Sequence, residues 1–415
     1  MAKPDPGSTD ASETADARAA MHYQPSADRR GVALCLSGGG YRAALFHLGG
    51  LTRLNELGVL SRVDTFSSVS GGSILSAHLA TRLSEWPAPG EQIADWDSTV
   101  VVPFLAFTRR NIRNRPLLER YALPWNWFRS RTAVDSLERA YTRHLTSLDL
   151  PSMPRAPRFV LSATDMVFGV NWVFDSGRNR MGDYLAGYTT QAPDWPLARA
   201  VAASSCFPPI FDPLPLRMDP QDLQGGGYVG EDRDELVKEI GLSDGGVYDN
   251  MGLEPVWKNH ATVLVSDGGA VFEAERDSGF IWRLNRYVSI TGRQGSAMRK
   301  RWLISNFIGG ILTGTYWSVG SAAANYDPSA DGYSEGLVDE RIEEVRTDLD
   351  RFTRAEQQVL VNHGYLLADA AVRTHAATLI SVDAPLAIPF PGDPMDEGWV
   401  TKKLENSSKH RIWRR

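Results

Sequence analysis

Cysteine is nearly absent: Cys35 and Cys206 are the only two in 415 residues. So sparse a set builds no disulfide framework, and a reducing compartment, the cytoplasm, is expected. A basic excess is missing as well. Forty-four Lys and Arg stand against 50 Asp and Glu, a net charge of −6. That balance lacks the positive footprint of a dedicated nucleic-acid binder. No apolar run follows the first methionine; residues 1–30 are rich in Ala, Ser, Asp and Pro and are expected to be a disordered tail rather than a signal peptide. The longest uncharged stretch, Trp302 to Tyr326, is diluted by Ser, Asn, Thr and four glycines. It predicts a buried helix and strand ahead of a membrane span. No repeat is visible, and no His, Cys or carboxylate cluster has metal-ligand spacing, so neither metal nor other cofactor is expected.

What is present is an alternation of apolar runs and helical periodicity. Residues 31–37 (GVALCLS) and 63–69 (VDTFSSV) have strand character. Between them Ala44, Leu45, Leu48, Leu51, Leu54 and Leu57 recur at spacings of three and four, which predicts a helix ending at Gly58. Gly49 and Gly50 inside that helix cost about 1 kcal/mol each relative to Ala, so they mark close packing against another backbone. Further strands are expected at 158–165, 170–176 and 261–267, and further helices at 71–83, 132–145, 196–204, 253–259, 281–303 and 353–375. The last begins with Thr353 and Glu356 as a capping box. The pattern is that of an α/β fold with a mostly parallel sheet, one domain over residues 31–385, and a loose tail over 386–415.

Two glycine turns carry the chemistry. The first strand ends in Ser37-Gly38-Gly39-Gly40, where consecutive N–H groups beside a helix start can hold an anion. Gly38 to Ala43 also fits the dinucleotide pattern G-x-G-x-x-A. A dinucleotide site, however, wants an acid at the end of the second strand, and Asp64 stands at its start. The end of that strand reads Ser68-Val69-Ser70-Gly71-Gly72. A serine on a tight strand-to-helix turn, flanked by small residues, is a nucleophile elbow, with Ser68 in place of the usual first glycine. Both turns follow neighbouring parallel strands and should open at the same edge of the sheet. An oxyanion loop beside a serine nucleophile is therefore the better account.

A serine hydroxyl needs a base. None of the eight histidines announces itself; His260, His363 and His375 follow the candidate acids, which leaves a Ser-His-Asp triad open by order. A carboxylate is the other choice. Asp244 precedes Gly245-Gly246, and Asp267 follows a strand in a similar context.

Together these blocks resemble the patatin-like phospholipases. The family pattern G-G-G-x-R, then G-x-S-x-G, then D-G-G matches Gly38-Gly39-Gly40-Tyr41-Arg42, Ser68-Val69-Ser70-Gly71-Gly72 and Asp244-Gly245-Gly246. SGGGYRA is also similar to the loop of cytosolic phospholipase A2. Residues 162–169 and 200–213 match minor blocks, and Asn250 falls where the family has an asparagine. The resemblance implies a three-layer α/β/α fold and hydrolysis of phospholipid or other acyl esters by a Ser-Asp dyad. Ser70 would be the nucleophile and Asp244, preferred to Asp267, the base. The N–H groups of Gly38, Gly39 and Gly40 would form the oxyanion hole. Arg42 would contact a lipid phosphate or brace that loop, unless it is an ordinary structural arginine. Asp165 and Asp249 read as turn-closing residues.

Rival expectations are a Ser-His-Asp carboxylesterase, a nucleotide-binding enzyme and a catalytically silent lipid-binding protein. Peripheral membrane contact is suggested by Phe104–Arg131, where arginines mix with Phe104, Phe107, Trp125, Trp127 and Phe128. The same composition also describes a solvated basic face whose aromatics pack on the core. Met298–Trp302 and the C-terminal KHRIWRR have the same two readings.

Overall fold

The computed structural model describes residues 28–114, 116, 118, 132–189, 194–208, 211–269 and 279–408. Its frame is an eleven-stranded sheet in the order β11-β10-β1-β2-β3-β4-β5-β6-β8, with β9 between β3 and β7. The parallel half comprises β1 (Val32–Leu36), β2 (Val63–Val69), β3 (Arg158–Asp165), β10 (Thr262–Asp267) and β11 (Thr313–Ser318). Antiparallel strands extend it: β4 (Val170–Asp175), β5 (Arg180–Asp183), β6 (Gly187–Thr189), β7 (Leu214–Leu216), β8 (Leu223–Gln224) and β9 (Ile240–Asp244). Strands β5 to β9 have two to five residues, too few for a clear period in the sequence, and none of them was expected.

Every residue of β1 is buried, as a central parallel strand covered on both faces requires. Val32, Leu34 and Leu36 point into the main core, while Ala33 and Cys35 point to the other side, against Met251, Leu253, Val256 and Leu303. Helices α1 (Gly40–Glu56), α2 (Gly71–Arg82), α3 (Val102–Thr108), α4 (Thr132–His144), α5 (Leu197–Ser205), α6 (Phe280–Ile308), α7 (Arg354–His375) and α8 (Glu397–Leu404) supply the cover, giving the three-layer α/β/α arrangement. The α1–α7 contact explains the helical glycines. A Cβ on Gly49 would lie 1.9 Å from the Val361 carbonyl oxygen, and one on Gly364 would lie 1.9 Å from that of Phe46. The two backbones touch.

The expected capping box at Thr353 and Glu356 is present. Three expectations change. Residues 253–259 form turns rather than a helix, because Gly252 takes φ 68° and Asp249 holds the N–H groups of Met251 and Glu254. Trp302 to Tyr326 is the end of α6, a Gly309-Gly310 turn and β11, but Ile304, Ile308 and Ile311 are exposed, so of its helical part only Leu303 is buried. Residues 386–408, expected to be loose, are packed: Val400 and Leu404 lie in the core. Asn362 Nδ2 donates to the Phe390 carbonyl at 2.7 Å, and Tyr333 Oη to that of Pro394 at 2.7 Å. Pro and Gly hid that packing, since they remove periodicity without removing contacts. The tails 1–27 and 409–415 lie outside the described residues. No helix among the described residues is long and apolar enough to cross a membrane.

Candidate active site

Register along β3 assembles the site. β2 runs parallel to the first half of β3 and ends with Val69 opposite Ser162. β9 runs antiparallel to the second half and ends with Asp244 opposite Ala163. Because β4 occupies the other edge of β3, the two strands meet end to end on one edge. Ser70, the next residue after β2, thereby faces Asp244.

Ser70 has φ 50° and ψ −112°, a conformation that costs of order 1–3 kcal/mol for a residue with a Cβ. The surroundings enforce it. Gly72 N–H donates to the Ser37 carbonyl at 3.1 Å, and Ser70 N–H donates to Ser204 Oγ at 3.0 Å. A Cβ on Gly71 would lie 2.2 Å from the Gly40 carbonyl, and one on Gly72 equally close to that of Leu36. Small residues at 71 and 72 are thus a steric requirement of the elbow. Ser68 is buried, with Oγ 3.3 Å from the Val160 carbonyl and from Ser73 Oγ, so a hydroxyl fits where the pattern has glycine.

The glycine loop lies directly against the elbow. Gly39 and Gly40 take φ 141° and 58°, conformations that favour glycine. A Cβ on Gly38 would stand 3.2 Å from Ser70 Cβ. Among the described residues, the N–H groups of Gly39, Gly40 and Gly71 have no hydrogen-bond acceptor, whereas Gly38 N–H donates to the Asn250 carbonyl at 3.0 Å. Gly38 therefore shapes the loop and has no N–H to offer, a correction to its expected place in the oxyanion hole. Gly71, the residue after the serine, has one instead. The N-termini of α1 and α2 converge here, and their partial positive charges add to a field that favours an anion.

Arg42 is buried in the same loop. Its guanidinium donates to the carbonyls of Gly268 (3.0 Å), Glu343 (2.7 Å) and Val345 (2.9 Å). Burial lowers its pKa to about 10. All of these bonds go to backbone, so of the expected roles the geometry provides bracing, and a lipid phosphate contact is not available to it. Tyr41 N–H donates to the Asp348 carbonyl at 2.9 Å, so segment 343–348 backs the glycine loop.

Asp244 is buried, and burial pushes its pKa up to about 6, against a pull downward from the Gly246 N–H and the Ser70 hydroxyl. Gly246 N donates to Oδ1 at 2.7 Å. Among the described residues Oδ2 has no hydrogen-bond partner, so the Ser70 hydroxyl favours the carboxylate without a well-formed bond to it. A Cβ on Gly245 would lie 2.4 Å from the Ser162 carbonyl, which again leaves no room for a side chain. Asp267 is different. Burial pushes its pKa up, but Lys300, the Tyr316 hydroxyl and the Gly269 N–H outweigh that and hold it below the usual value. Tyr316 Oη donates to Oδ2 at 2.7 Å, so this carboxylate is already neutralised and occupied.

No described histidine bonds to Ser70 or Asp244. His47 lies between Ser266 Oγ (2.7 Å) and the Ser37 carbonyl (2.9 Å), His363 contacts the Val319 carbonyl (2.8 Å), and His260 contacts Thr65 Oγ1 (3.0 Å). Burial lowers the pKa of His47 and His363 to about 4. Asp165 and Asp249 close turns as expected, with Asp165 Oδ1 accepting from Val167 N at 2.6 Å. Asp64 bonds Val32 N–H at the opposite edge of the sheet, far from where a ribose would need it. Phe104 and Phe107 are core residues, while Trp125, Trp127, Phe128 and the C-terminal KHRIWRR lie outside the described residues.

Ser204 had no role in the sequence reading. Its Oγ accepts from Ser70 N–H, contacts Ser73 Oγ at 2.8 Å and donates to the Ser162 carbonyl at 2.6 Å, and its own carbonyl accepts from Gly245 N–H. One residue of α5 ties elbow, β3 and the Asp244 loop together. Its place in the block 200–213 was visible, but a serine among serines carries no sign of such geometry.

No curated protein matches this chain. Among solved structures, human GIVD cytosolic phospholipase A2 is 13% identical over 57% of this chain and 45% of its own, with a TM-score of 0.37. VipD from Legionella pneumophila is 15% identical over 85% of this chain and 68% of its own, with a TM-score of 0.34. This chain thus spans less than half the length of the human protein. The family model of the patatin-like phospholipases matches residues 34–257, which include both glycine turns, the elbow and the Asp244 loop, and the chain belongs to that family.

Proposed function

We propose that this protein hydrolyses lipid acyl esters with a Ser70–Asp244 dyad. Ser70 Oγ attacks the acyl carbonyl carbon while its proton passes to Asp244. The carbonyl oxygen becomes an oxyanion beside the N–H groups of Gly39, Gly40 and Gly71, each well-placed donor contributing roughly 3–4 kcal/mol. The proton then goes to the departing alkoxide, leaving an acyl-enzyme. Water, deprotonated by Asp244, attacks that ester and releases the fatty acid and Ser70.

The observation that carries the reading is the end-to-end meeting of β2 and β9, which sets a strained serine against a buried carboxyl whose pKa has been raised to about 6. At its ordinary pKa of about 3.9 an aspartate is a weak base; desolvation makes it a better one while leaving it ionised at neutral pH. The test is turnover of p-nitrophenyl esters and phospholipid vesicles by wild type, Ser70→Ala, Asp244→Asn and Asp267→Asn. Loss in the first two variants, with activity kept in Asp267→Asn at unchanged folding, is expected. Retained activity in Ser70→Ala overturns the proposal.

A further inference from the structure

Helix α6 is longer than the sheet it serves. Its C-terminal end is anchored: Leu303 is buried with Ala33, Val263 and Leu312, and Trp302 packs edge-on against Trp257 at 5.3 Å. Lys300 reaches Asp267, the last residue of β10, at 3.4 Å, which places it level with the carboxyl edge of the sheet. Everything before Lys300 therefore runs beyond that edge. At 1.5 Å per residue, the stretch from Phe280 to Lys300 extends about 30 Å. No described side chain from Arg283 to Met298 is buried. Tyr287 and Met298 are 65% and 66% exposed, and Ile290 is exposed too.

The arm's charge is as one-sided as its exposure. α6 holds Arg283, Arg286, Arg293, Arg299, Lys300 and Arg301 and no acid. Counting the acidic run just before it, residues 270–308 still carry net +4 in a chain of net −6. Ser70 and Asp244 lie at the same edge from which the arm projects. Around them stand further exposed apolar side chains: Met166 and Val167 beyond the end of β3, and Phe207 three residues after Ser204. A basic helix with apolar side chains in water is the composition that lies in the headgroup region of a membrane.

We propose that the projecting part of α6 is an arm that docks the carboxyl edge of the sheet on an anionic lipid surface. Its cations meet the headgroups, and Tyr287, Ile290 and Met298 enter the acyl boundary. The choice of a lipid surface over a protein partner rests on the lipid-ester reading of Ser70, because only a lipid surface brings substrate to that edge. Arg299 and Lys300 pair with Asp249 and Asp267, so the arm's root is joined to the loops bordering the site.

The test uses the full chain with Ser70→Ala, so that vesicle binding is measured whether or not the dyad is correctly assigned. Co-flotation is compared on vesicles of phosphatidylcholine alone and of phosphatidylcholine with 30% phosphatidylglycerol. Binding only to the anionic vesicles, weakened by salt, is expected. Arg283→Glu with Arg293→Glu, both in the projecting part, should weaken it about 30-fold or more, at roughly a fivefold loss per cation. Tyr287→Ser with Ile290→Ser should abolish it. In the Ser70 background both double variants should keep wild-type hydrolysis of a soluble p-nitrophenyl ester, which also reports that they fold. Equal binding to both vesicle types, no binding, or unchanged binding by the double variants overturns the proposal. So does a dimer that the Tyr287→Ser, Ile290→Ser variant converts to monomer, since the arm would then be a subunit interface.

Discussion

Ser70 follows directly on Val69, the last residue of β2, and Asp244 ends β9; the two strands approach from opposite directions along one edge of β3, where Val69 and Asp244 face the neighbouring residues Ser162 and Ala163. Their separation is set by the sheet's hydrogen bonds rather than by loop flexibility, so the pair is held by rigid elements. Such support is what a reacting pair requires, since small misplacements are costly. In the proposed mechanism the pKa of Asp244 sets the pH response. With that carboxyl at about 6, kcat/KM should rise with pH along an acid limb centred near 6, as the base form appears. A pH–rate profile on a soluble ester checks this; a limb centred near 4 would mean that Asp244 is not desolvated when substrate binds.

The same burial has a cost in stability. The folded pKa of Asp244 lies above the unfolded value of about 3.9, so its contribution is fully present below that value and is lost as pH rises through 6. Asp244→Asn keeps an oxygen for the Gly246 N–H and removes the buried charge. It should therefore abolish turnover yet raise the stability at pH 8 by on the order of 2–3 kcal/mol, with little change at pH 4. Urea unfolding at the two pH values decides it. A variant less stable than wild type at pH 8 would count against a strained base.

A second carboxyl pair predicts a pH effect away from catalysis. Asp165 and Asp183 lie together, and each spends Oδ1 on two backbone N–H groups. Each leaves Oδ2 buried without a partner, which one proton shared between them would satisfy. Burial first, and then Asp165, pushes Asp183 up to about 8. Stability from this pair is present in acid and lost as pH rises through about 8. Wild type should accordingly lose Tm between pH 6 and 9 more steeply than Asp183→Asn, whose amide can donate to Asp165. Parallel melting curves would dismiss the shared proton.

How much of this was legible beforehand follows from how each element is specified. β2 and β3 were readable to the residue, and α7 to within one, because long apolar runs and a capping box are local signals. Ser70 and the Gly39-Gly40 pair were readable because a sharp turn tolerates so few residue types. The choice between the two candidate bases was not decided by spacing: Asp244 and Asp267 each precede glycines at a strand end. What separates them is that Tyr316 and Lys300 claim Asp267, a contact across strands that no local pattern encodes. The packed segment 386–408 escaped for the same reason, since its partners lie far away in the chain.

Ser204 should act as a positioning residue. Ser204→Ala removes the acceptor of Ser70 N–H and the donor to the Ser162 carbonyl, leaving a buried N–H unmatched at about 1–3 kcal/mol. The strained turn should then relax, lowering kcat by roughly 10-fold or more while KM for a soluble ester stays near wild type. A loss confined to thermal stability, with kcat intact, would reduce Ser204 to a core residue.

Glycine contacts separate a catalytic from an architectural requirement. Gly71→Ala places a methyl 2.2 Å from the Gly40 carbonyl, and Gly49→Ala places one 1.9 Å from the Val361 carbonyl. Both obstacles are backbone, which cannot swing aside as a side chain would. The first change pushes the elbow off the glycine loop and spoils the alignment of N–H donors with the reacting carbonyl. Its main effect should be on kcat, by about 100-fold or more, comparable to losing an oxyanion donor. The second pries α1 from α7, in the core and away from Ser70. Its main effect should be on unfolding free energy, about 1–3 kcal/mol as for other overpacked sites, with kcat near wild type in the fraction that folds. Steady-state kinetics and urea unfolding on both proteins give the comparison. If Gly71→Ala instead unfolded the protein while Gly49→Ala lost activity at full stability, the division between an elbow glycine of α2 and a scaffold glycine of α1 would be wrong.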